Sequence, residues 1–223
     1  MNYYYSLNDY LKNTYGEKIY KVAIDAGLSC PNRDGKIDTR GCIFCSAGGS
    51  GDFAVAYKDF PTVTSQLEAG ISLFRGKKVG NKFIAYFQAY TNTYGPLEYL
   101  KNVFREALSH PMVAGISIAT RPDCLDTDVL NLLKTLKSDF SDKFIWVELG
   151  LQTIHEDTAL YIRRGYTLDI FEKALHSLNS LDIPVIVHVI LGLPFENRER
   201  ILETIGYLSN KQIFGIKLQL LHI

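Results

Sequence analysis

The stretch Phe144-Ile145-Trp146-Val147-Glu148-Leu149-Gly150-Leu151-Gln152 is apolar at odd and even positions alike, apart from Glu148 and the final Gln152. A strand with one face in solvent alternates apolar and polar residues, whereas a strand covered on both faces of a parallel sheet is apolar throughout. The stretch therefore predicts a buried parallel strand that ends at Gln152. Glu148 needs a partner there, because an isolated carboxylate is costly to bury.

Five further apolar runs of similar length lie on either side of this stretch. They cover residues 19–24, 83–90, 113–119, 183–191 and 214–221. Between them lie amphipathic stretches with helical spacing, at residues 62–74, 96–108, 126–137, 155–163, 168–181 and 198–208. Pro96 suits the first turn of a helix, and Asp126 suits an N-cap. The pattern predicts six consecutive strand–helix units.

The carboxyl ends of these runs distinguish two α/β architectures. Polar residues recur there, namely Gln88, Tyr90, Thr120, Arg121, Gln152 and His222. An open doubly wound sheet would show a similar alternation, but a (β/α) barrel gathers its active site at this rim. We therefore predict a partial (β/α)6 TIM-type barrel with parallel strands, over residues 18–223, after an N-terminal extension at residues 1–17. No helix follows the last run, so we expect a C-terminal portion to be missing.

The composition is that of an ordinary globular domain without a charge bias. The chain of 223 residues is 47% hydrophobic and carries 24 basic and 24 acidic residues, so its formal net charge is zero. Global charge therefore gives no support for a nucleic-acid partner, although a local patch can suffice. Two groups of basic residues are typical of solvated loops. They are Arg33, Lys36 and Arg40, and Lys77, Lys78 and Lys82.

The N-terminus lacks the basic start and apolar run of a signal peptide. No stretch approaches the roughly 20 apolar residues that span a bilayer. We therefore expect a cytoplasmic protein without a membrane partner. Thiols stay reduced in the cytosol, so the four cysteines indicate metal or redox chemistry before disulfides.

Three of the cysteines follow the first predicted strand with the spacing Cys30-x11-Cys42-x2-Cys45. Structural zinc requires four ligands, yet residues 28–53 contain no histidine, and nothing in the sequence requires Cys124 to approach. A redox dithiol would leave one cysteine unexplained. An iron–sulfur cluster with one open iron accounts for all three thiols. The residues alone do not decide between three interpretations of these cysteines: a catalytic cluster, a zinc site and unrelated thiols.

Five further motifs follow the cysteines in the order of the predicted strands. They are Phe87-Gln88-Ala89-Tyr90-Thr91-Asn92-Thr93, Thr120-Arg121-Pro122-Asp123-Cys124, Glu148-Leu149-Gly150-Leu151-Gln152, Arg164-Gly165-Tyr166-Thr167 and Gly192-Leu193-Pro194-Phe195-Glu196. With the cysteine loop and its aromatic Phe44, they resemble the radical S-adenosylmethionine superfamily over nearly the whole chain. The resemblance is closest to the branch related to the catalytic subunit of Elongator, and within it to a bacterial group. Relatives usually carry His where Tyr166 stands and Gly where Phe195 stands.

The resemblance implies a [4Fe–4S] cluster held by Cys30, Cys42 and Cys45, with S-adenosylmethionine on the open iron. It implies reductive cleavage of S-adenosylmethionine to a 5′-deoxyadenosyl radical, with an electron donor such as flavodoxin or ferredoxin. The Elongator-like branch implies tRNA as a partner, with modification of a wobble uridine. Radical oxidation of a small metabolite and a zinc-stabilised binding module are the alternative functions.

The resemblance also assigns cofactor contacts at the strand ends. Gln88, Tyr90 and Thr91 would hold the methionine amino group, largely through backbone groups, although polar residues also close strand ends without a ligand. Arg164 would face the methionine carboxylate, since a guanidinium pairs with it through two hydrogen bonds. Phe44 is expected beside the cofactor.

Three features of this expected site have a structural alternative. Glu148 and Gln152 would contact the cofactor or substrate, but Glu148 also suits a buried ion pair. His188 would contact the ribose, although a lone histidine on an apolar strand is commonly a core residue. The Gly48–Gly51 run would permit close backbone approach or serve as a flexible connector.

Overall fold

A computed structural model describes residues 4–52, 54–74 and 80–221, so the predicted rim residue His222 and the basic Lys77 and Lys78 lie outside the described residues. The strands are β1 (Tyr20–Ile24), β2 (Phe83–Phe87), β3 (Val113–Thr120), β4 (Phe144–Gln152), β5 (Val185–Leu191) and β6 (Gly215–Leu220). The α-helices are α1 (Leu7–Tyr15), α2 (Val63–Ser72), α3 (Leu97–Ser109), α4 (Thr127–Asp139), α5 (Glu156–Tyr161), α6 (Leu168–Ser180) and α7 (Arg198–Ser209). None of these described helices is long and apolar enough to cross a bilayer.

The six strands form one parallel sheet in the order β1-β2-β3-β4-β5-β6. The sheet curls into a half-barrel, which confirms the predicted fold class. In the described part of the chain β1 and β6 each pair with one neighbour and not with each other. The barrel is therefore open on the side between β1 and β6.

The main core fills the space between the outer face of the sheet and the helices. Fully buried aromatic rings anchor it, with Phe87 of β2 meeting Phe104 of α3 edge-on at a ring distance of 5.0 Å. Asp126 caps α4 by accepting a hydrogen bond from the Val129 N–H at 2.9 Å, as predicted. A capping box at Thr62 likewise begins α2.

Helix α1, inside the predicted extension 1–17, closes the amino end of the barrel. Its Leu11 is 2% exposed and packs with Trp146 and Ile186, which point into the barrel from β4 and β5. Tyr10 of the same helix lies 6.2 Å from the Trp146 ring. Helix α1 was not predicted, because the N-terminal segment is rich in Tyr and Asn, which are not strong helix formers.

Two predicted boundaries differ from the structure for local reasons. Strand β2 ends at Phe87 rather than at residue 90, because Tyr90 has a positive φ of 61° and turns the chain towards the cysteine loop. The predicted helix at residues 155–163 is the short α5, since Arg163 also has a positive φ. Both turns place polar residues at the rim of the barrel.

Candidate active site

A cavity of about 630 Å³ opens at the carboxyl ends of the strands. Its volume lies in the range of small-molecule sites. All eleven sequence-predicted site residues line it, namely Cys30, Cys42, Phe44, Cys45, Gln88, Tyr90, Thr91, Glu148, Gln152, Arg164 and His188. The structure therefore brings the cysteine loop and the ends of β2, β4 and β5 around one space.

Local hydrogen bonds order the cysteine loop between β1 and α2. The Cys30 carbonyl accepts the Arg33 N–H at 2.8 Å, and the Cys42 carbonyl accepts the Cys45 N–H at 3.1 Å. The Arg33 guanidinium reaches across the loop and donates to the Cys45 carbonyl at 2.9 Å. The loop thus holds its own shape, and its three thiols face the same cavity.

Asn32 lies directly behind the thiols and is 1% exposed. Its amide N–H group lies 3.2 Å from Cys42 Sγ and 2.6 Å from the Arg163 carbonyl. Burial raises the pKa of the Cys42 thiol to about 11, and the Asn32 hydrogen bond opposes that rise. A bound metal displaces this proton, because the ligating form of cysteine is the thiolate.

The donor set at this end of the cavity is three thiols, and thiolates are the usual ligands of an iron–sulfur cluster. Within residues 4–52, 54–74 and 80–221, no three His, Cys, Asp or Glu side chains converge as ligands of one metal ion. Cys124 lies off the cavity lining, and burial raises the pKa of its thiol to about 12.

The Gly48–Gly51 run packs closely against the end of β2. A side chain on Gly49 would collide with the Tyr90 ring, and one on Gly51 would lie 2.6 Å from the Ala89 Cβ. The Gln88 amide donates to the Ser50 carbonyl at 2.7 Å, and the Tyr90 hydroxyl donates to the Ala47 carbonyl at 3.0 Å. The predicted methionine contacts Gln88 and Tyr90 therefore hold the cysteine loop in place with their side chains.

Arg164 is fixed by backbone groups rather than pointing freely at a ligand. Its guanidinium donates to the carbonyls of Leu151 at 3.0 Å, Thr153 at 2.7 Å and Tyr166 at 2.9 Å. The side chain is 1% exposed although it borders the cavity. These bonds use donors that the predicted methionine carboxylate contact would need.

Tyr166, which stands where relatives usually carry His, occupies the space beside Gly150. Its hydroxyl lies 3.1 Å from the Gly150 carbonyl and 2.9 Å from Gln152 Oε1. A Cβ on Gly150 would lie 2.8 Å from the Gln152 amide nitrogen and 2.9 Å from the Tyr166 hydroxyl, so a larger residue would require the ends of these two side chains to shift. The guanidinium groups of Arg121 and Arg164 each lie 4.9 Å from the tyrosine ring centre.

Phe195, which stands where relatives usually carry Gly, has a φ of +67° and is 68% exposed. Non-glycine residues rarely adopt this conformation, which accounts for glycine in the usual pattern. The Phe195 ring packs edge-on against Tyr161 at 4.8 Å. The substitution therefore keeps the turn and adds an aromatic contact at the rim.

Glu148 lies on the floor of the cavity and is fully buried. It accepts a hydrogen bond from Ser117 at 2.5 Å and lies 2.6 Å from His188 Nε2. Lys21 and Lys217 form ion pairs with the same carboxylate. Burial opposes ionisation, yet the His188 hydrogen bond and the two ammonium charges hold the pKa of Glu148 well below its usual range. The expected buried ion pair is therefore present.

Five residues that line the cavity or contact its lining were not predicted from the sequence, namely Asn32, Lys21, Tyr86, Ser117 and Lys217. Each of β1 and β6 carries a lysine between two apolar or aromatic residues, and that signal was available in the sequence. Asn32 and Ser117 gave no comparable signal.

A family model described as the radical SAM superfamily matches residues 39–208. That range includes Cys42, Cys45 and the ends of β2 to β5. This chain belongs to the radical SAM superfamily. Two curated relatives are similar to nearly the whole of this radical SAM chain. The uncharacterized protein YtqA of Bacillus subtilis is 44% identical over 220 residues, which cover 99% of the chain and 67% of YtqA. YhcC of Escherichia coli K12 is 35% identical over 96% of the chain and 66% of its own length.

The radical SAM chain thus spans about two thirds of the length of these curated relatives. Among solved structures, the archaeal Elp3 of Methanocaldococcus infernus superposes with a TM-score of 0.61 at 16% identity. That match covers 90% of this chain and 45% of the Elp3 chain. At this identity the similarity shows the fold alone.

Proposed function

We propose that this protein is a radical enzyme that binds a [4Fe–4S] cluster through Cys30, Cys42 and Cys45 and cleaves S-adenosylmethionine. The observation that carries the proposal is that the three thiols share one cavity with Gln152 and His188. Superfamily membership supports the same chemistry. The cavity, which the cysteine loop lines, is large enough to hold a nucleoside-sized ligand.

When bound, the cluster supplies the electron that splits S-adenosylmethionine into methionine and the 5′-deoxyadenosyl radical. The residues of the chain position and protect this chemistry. Asn32 orients the Cys42 sulfur, and Gln88 and Tyr90 fix the loop that carries it. Gln152, held by the Tyr166 hydroxyl, offers its amide to a ligand at the rim.

We infer that the substrate is a tRNA wobble uridine with a side chain of the carboxymethylaminomethyl type. The Elongator-like motifs are the main support. Two cation–aromatic pairs at the rim also fit a nucleic-acid partner, with Arg33 5.9 Å from the Tyr90 ring and Lys36 5.1 Å from the Tyr94 ring. Such pairs are common where unpaired bases stack.

We place this reaction in the cytosol, with flavodoxin or ferredoxin as the electron donor. All four cysteines are free thiols in the structure. Reduced thiols are usual in that compartment, and a reduced cluster requires a low-potential donor.

Metal content tests the cofactor assignment. After anaerobic reconstitution with iron and sulfide, we expect a brown protein with about four irons per chain and reductive cleavage of S-adenosylmethionine. Cys42→Ala should lose the colour and the cleavage. Cys124→Ala is the matched control, because its thiol lies off the cavity. A colourless wild-type protein with one zinc would refute the assignment.

Nucleoside analysis tests the substrate. In tRNA from a strain that lacks the gene, we expect the precursor uridine to accumulate and the product to disappear, and complementation should restore the product. A Cys42→Ala gene should not restore it. An unchanged nucleoside profile contradicts the tRNA assignment, and 5′-deoxyadenosine formation stimulated by a small metabolite without RNA would support the alternative.

A further inference from the structure

A second cavity, of about 550 Å³, borders the cysteine loop at the carboxyl end of β1. An isolated bridge joins the segment that carries Tyr57 to the last residue of β1. Arg33 and Tyr90 line this second cavity and also the cavity of the three thiols, so the two are neighbours at the same rim. The polar residues of its lining are Asp25, Ser29, Arg33, Tyr57, Lys58 and Tyr90.

Tyr57 offers an aromatic surface to the second cavity. A Cβ on Gly27 would lie 3.2 Å from each of three atoms of the Tyr57 ring, and Gly27 has a φ of +65°. The ring therefore lies against the bare backbone at Gly27, which supports it on that side. Tyr57 is 38% exposed, so part of its ring stays free. Such a ring is a platform on which any nucleobase can stack, because every base has a π-face.

Two cations line the second cavity without a carboxylate partner. The Arg33 guanidinium donates to the carbonyls of Cys45 at 2.9 Å and Ser46 at 2.5 Å, which fix its position but leave its charge uncompensated. Across residues 4–52, 54–74 and 80–221, neither Arg33 nor Lys58 forms an ion pair. An unpaired guanidinium and an unpaired ammonium suit the oxygens of a phosphate.

Asp25 gives the second cavity a fixed hydrogen-bond acceptor. The buried Gln66 amide accepts the Asp25 N–H at 2.9 Å and donates to the Asp25 carbonyl at 2.7 Å. Asp25 Oδ1 accepts the Gly27 N–H at 2.9 Å, whereas Oδ2 accepts no hydrogen bond from the part of the chain that the structure describes. A carboxylate is out of place in a site for a bare phosphate or an acidic peptide, but it can accept from the N–H edge of a base.

We propose that the second cavity binds a nucleotide of the RNA substrate, next to the nucleotide that enters the cavity of the three thiols. Its base stacks on Tyr57 with an N–H edge towards Asp25, and its phosphate is held by Arg33 and Lys58. Because Arg33 and Tyr90 line both cavities, one strand can pass from the first to the second. The strand must be unpaired, since bases within a duplex are not free to stack on a protein. This proposal deepens the proposed function and rests on its RNA substrate.

The first experiment uses a single strand that carries no feature of tRNA. A short fluorescein-labelled oligouridylate is titrated into the reconstituted protein saturated with S-adenosylmethionine, and fluorescence anisotropy is followed. Tyr57→Ala should weaken binding by at least about fivefold, the lower limit for the loss of one base–aromatic stack, whereas Tyr57→Phe should stay within about twofold of the wild type. Tyr15→Ala is the matched control, because Tyr15 is 39% exposed and lies on α1 at the other end of the barrel.

The salt dependence of the same binding tests the phosphate contact. Lys58→Met should reduce the slope of log K against log salt concentration by about 0.7, the value for one phosphate of a single strand. Lys134→Met, at an exposed position on α4, should keep the wild-type slope. Circular dichroism and iron content report whether each variant folds. Lys58 is exposed, so its replacement decides the question even if Tyr57→Ala does not fold.

Three results of these titrations overturn the proposal. They are equal oligouridylate binding by the wild type and Tyr57→Ala, an unchanged salt slope in Lys58→Met, and no binding by the wild type. An acidic peptide that competes as well as the oligouridylate also overturns it, because charge alone would then explain the binding.

The second experiment uses anticodon stem-loop RNAs with an abasic site on one or the other side of the wobble position. One of the two should bind the wild type at least about fivefold more weakly than the intact RNA. Tyr57→Ala should bind that RNA and the intact RNA equally, since the same stack is already lost. If no stem-loop binds while the oligouridylate does, the tRNA assignment fails and the nucleotide site stands. If neither abasic site matters, or if its effect adds to that of Tyr57→Ala, the nucleotide site is wrong while the tRNA assignment stands.

Discussion

Asn32 connects the cysteine loop to the segment before Tyr166. Its side chain bridges Cys42 Sγ and the Arg163 carbonyl, while its own Oδ1 is buried and has no hydrogen-bond partner among the described residues. A side chain on Gly165 would lie 2.8 Å from that oxygen. Asn32 is therefore held in one orientation, with its N–H directed at the sulfur.

Asn32→Ala should lower the reduction potential of the reconstituted cluster by tens of millivolts, on the order of 1 kcal/mol for one electron. An N–H···S hydrogen bond stabilises the reduced cluster, which carries more negative charge, so its loss favours the oxidised state. The measurement is a redox titration followed by EPR. Asn102→Ala on the exposed face of α3 is the control, and an unchanged potential in Asn32→Ala contradicts this role.

The sequence indicated which residues lie near the rim, but not the contacts that cross the barrel. Cys42 in the cysteine loop, Gln152 at the end of β4 and His188 within β5 all line the cavity, and their contacts with a cofactor stay predictions. The roles of Arg164 and Glu148 depend on partners from other strands. Lys217 lies 69 positions away from Glu148 in the chain, and no local pattern reveals such a pair.

Helix α1 shows how an element outside the repeating units completes the fold. It begins at the N-cap Ser6, which accepts the Asp9 N–H at 3.1 Å, and it ends at Gly16 with a φ of +74°. These caps are readable in the sequence, but the burial of Leu11 depends on Trp146. The strand–helix repeat, in contrast, is a local signal, and it predicted all six strands.

Leu11→Ala should destabilise the protein by about 2–5 kcal/mol, the usual range for a buried leucine whose loss leaves a cavity. The measurement is urea unfolding followed by circular dichroism. Leu7→Ala on the same helix, where the side chain is 39% exposed, should change the free energy of unfolding by less than about 0.5 kcal/mol. Equal effects of the two substitutions would mean that α1 does not pack on the barrel.

The charged layer of Lys21, Glu148, His188 and Lys217 couples the stability of the whole molecule to pH. Burial lowers the pKa of His188 below its ordinary value of 6.5, so the unfolded chain binds a proton that the folded chain excludes. Stability must therefore rise with pH up to about 6.5 and fall on acidification below it. Glu148 acts in the same direction only at lower pH, because its folded pKa lies well below 4.5.

His188→Gln should flatten this dependence between pH 5 and pH 6.5. The wild type should lose up to about 1.4 kcal/mol per pH unit more than the variant does, the limit for one proton. The measurement is urea unfolding at several pH values. His176→Gln, at an exposed position on α6, should keep the wild-type slope, and a steep slope in His188→Gln would contradict the assignment.

The packing of α1 on Trp146, through Leu11 and Tyr10, closes the amino end of the barrel. In the described part of the chain, a ligand therefore reaches the floor of the cavity from the carboxyl-end rim and not from the amino end. A group that binds on the floor must then arrive before a second group occupies the rim. The order of binding would be set by a helix that lies at the opposite end of the barrel from the cavity.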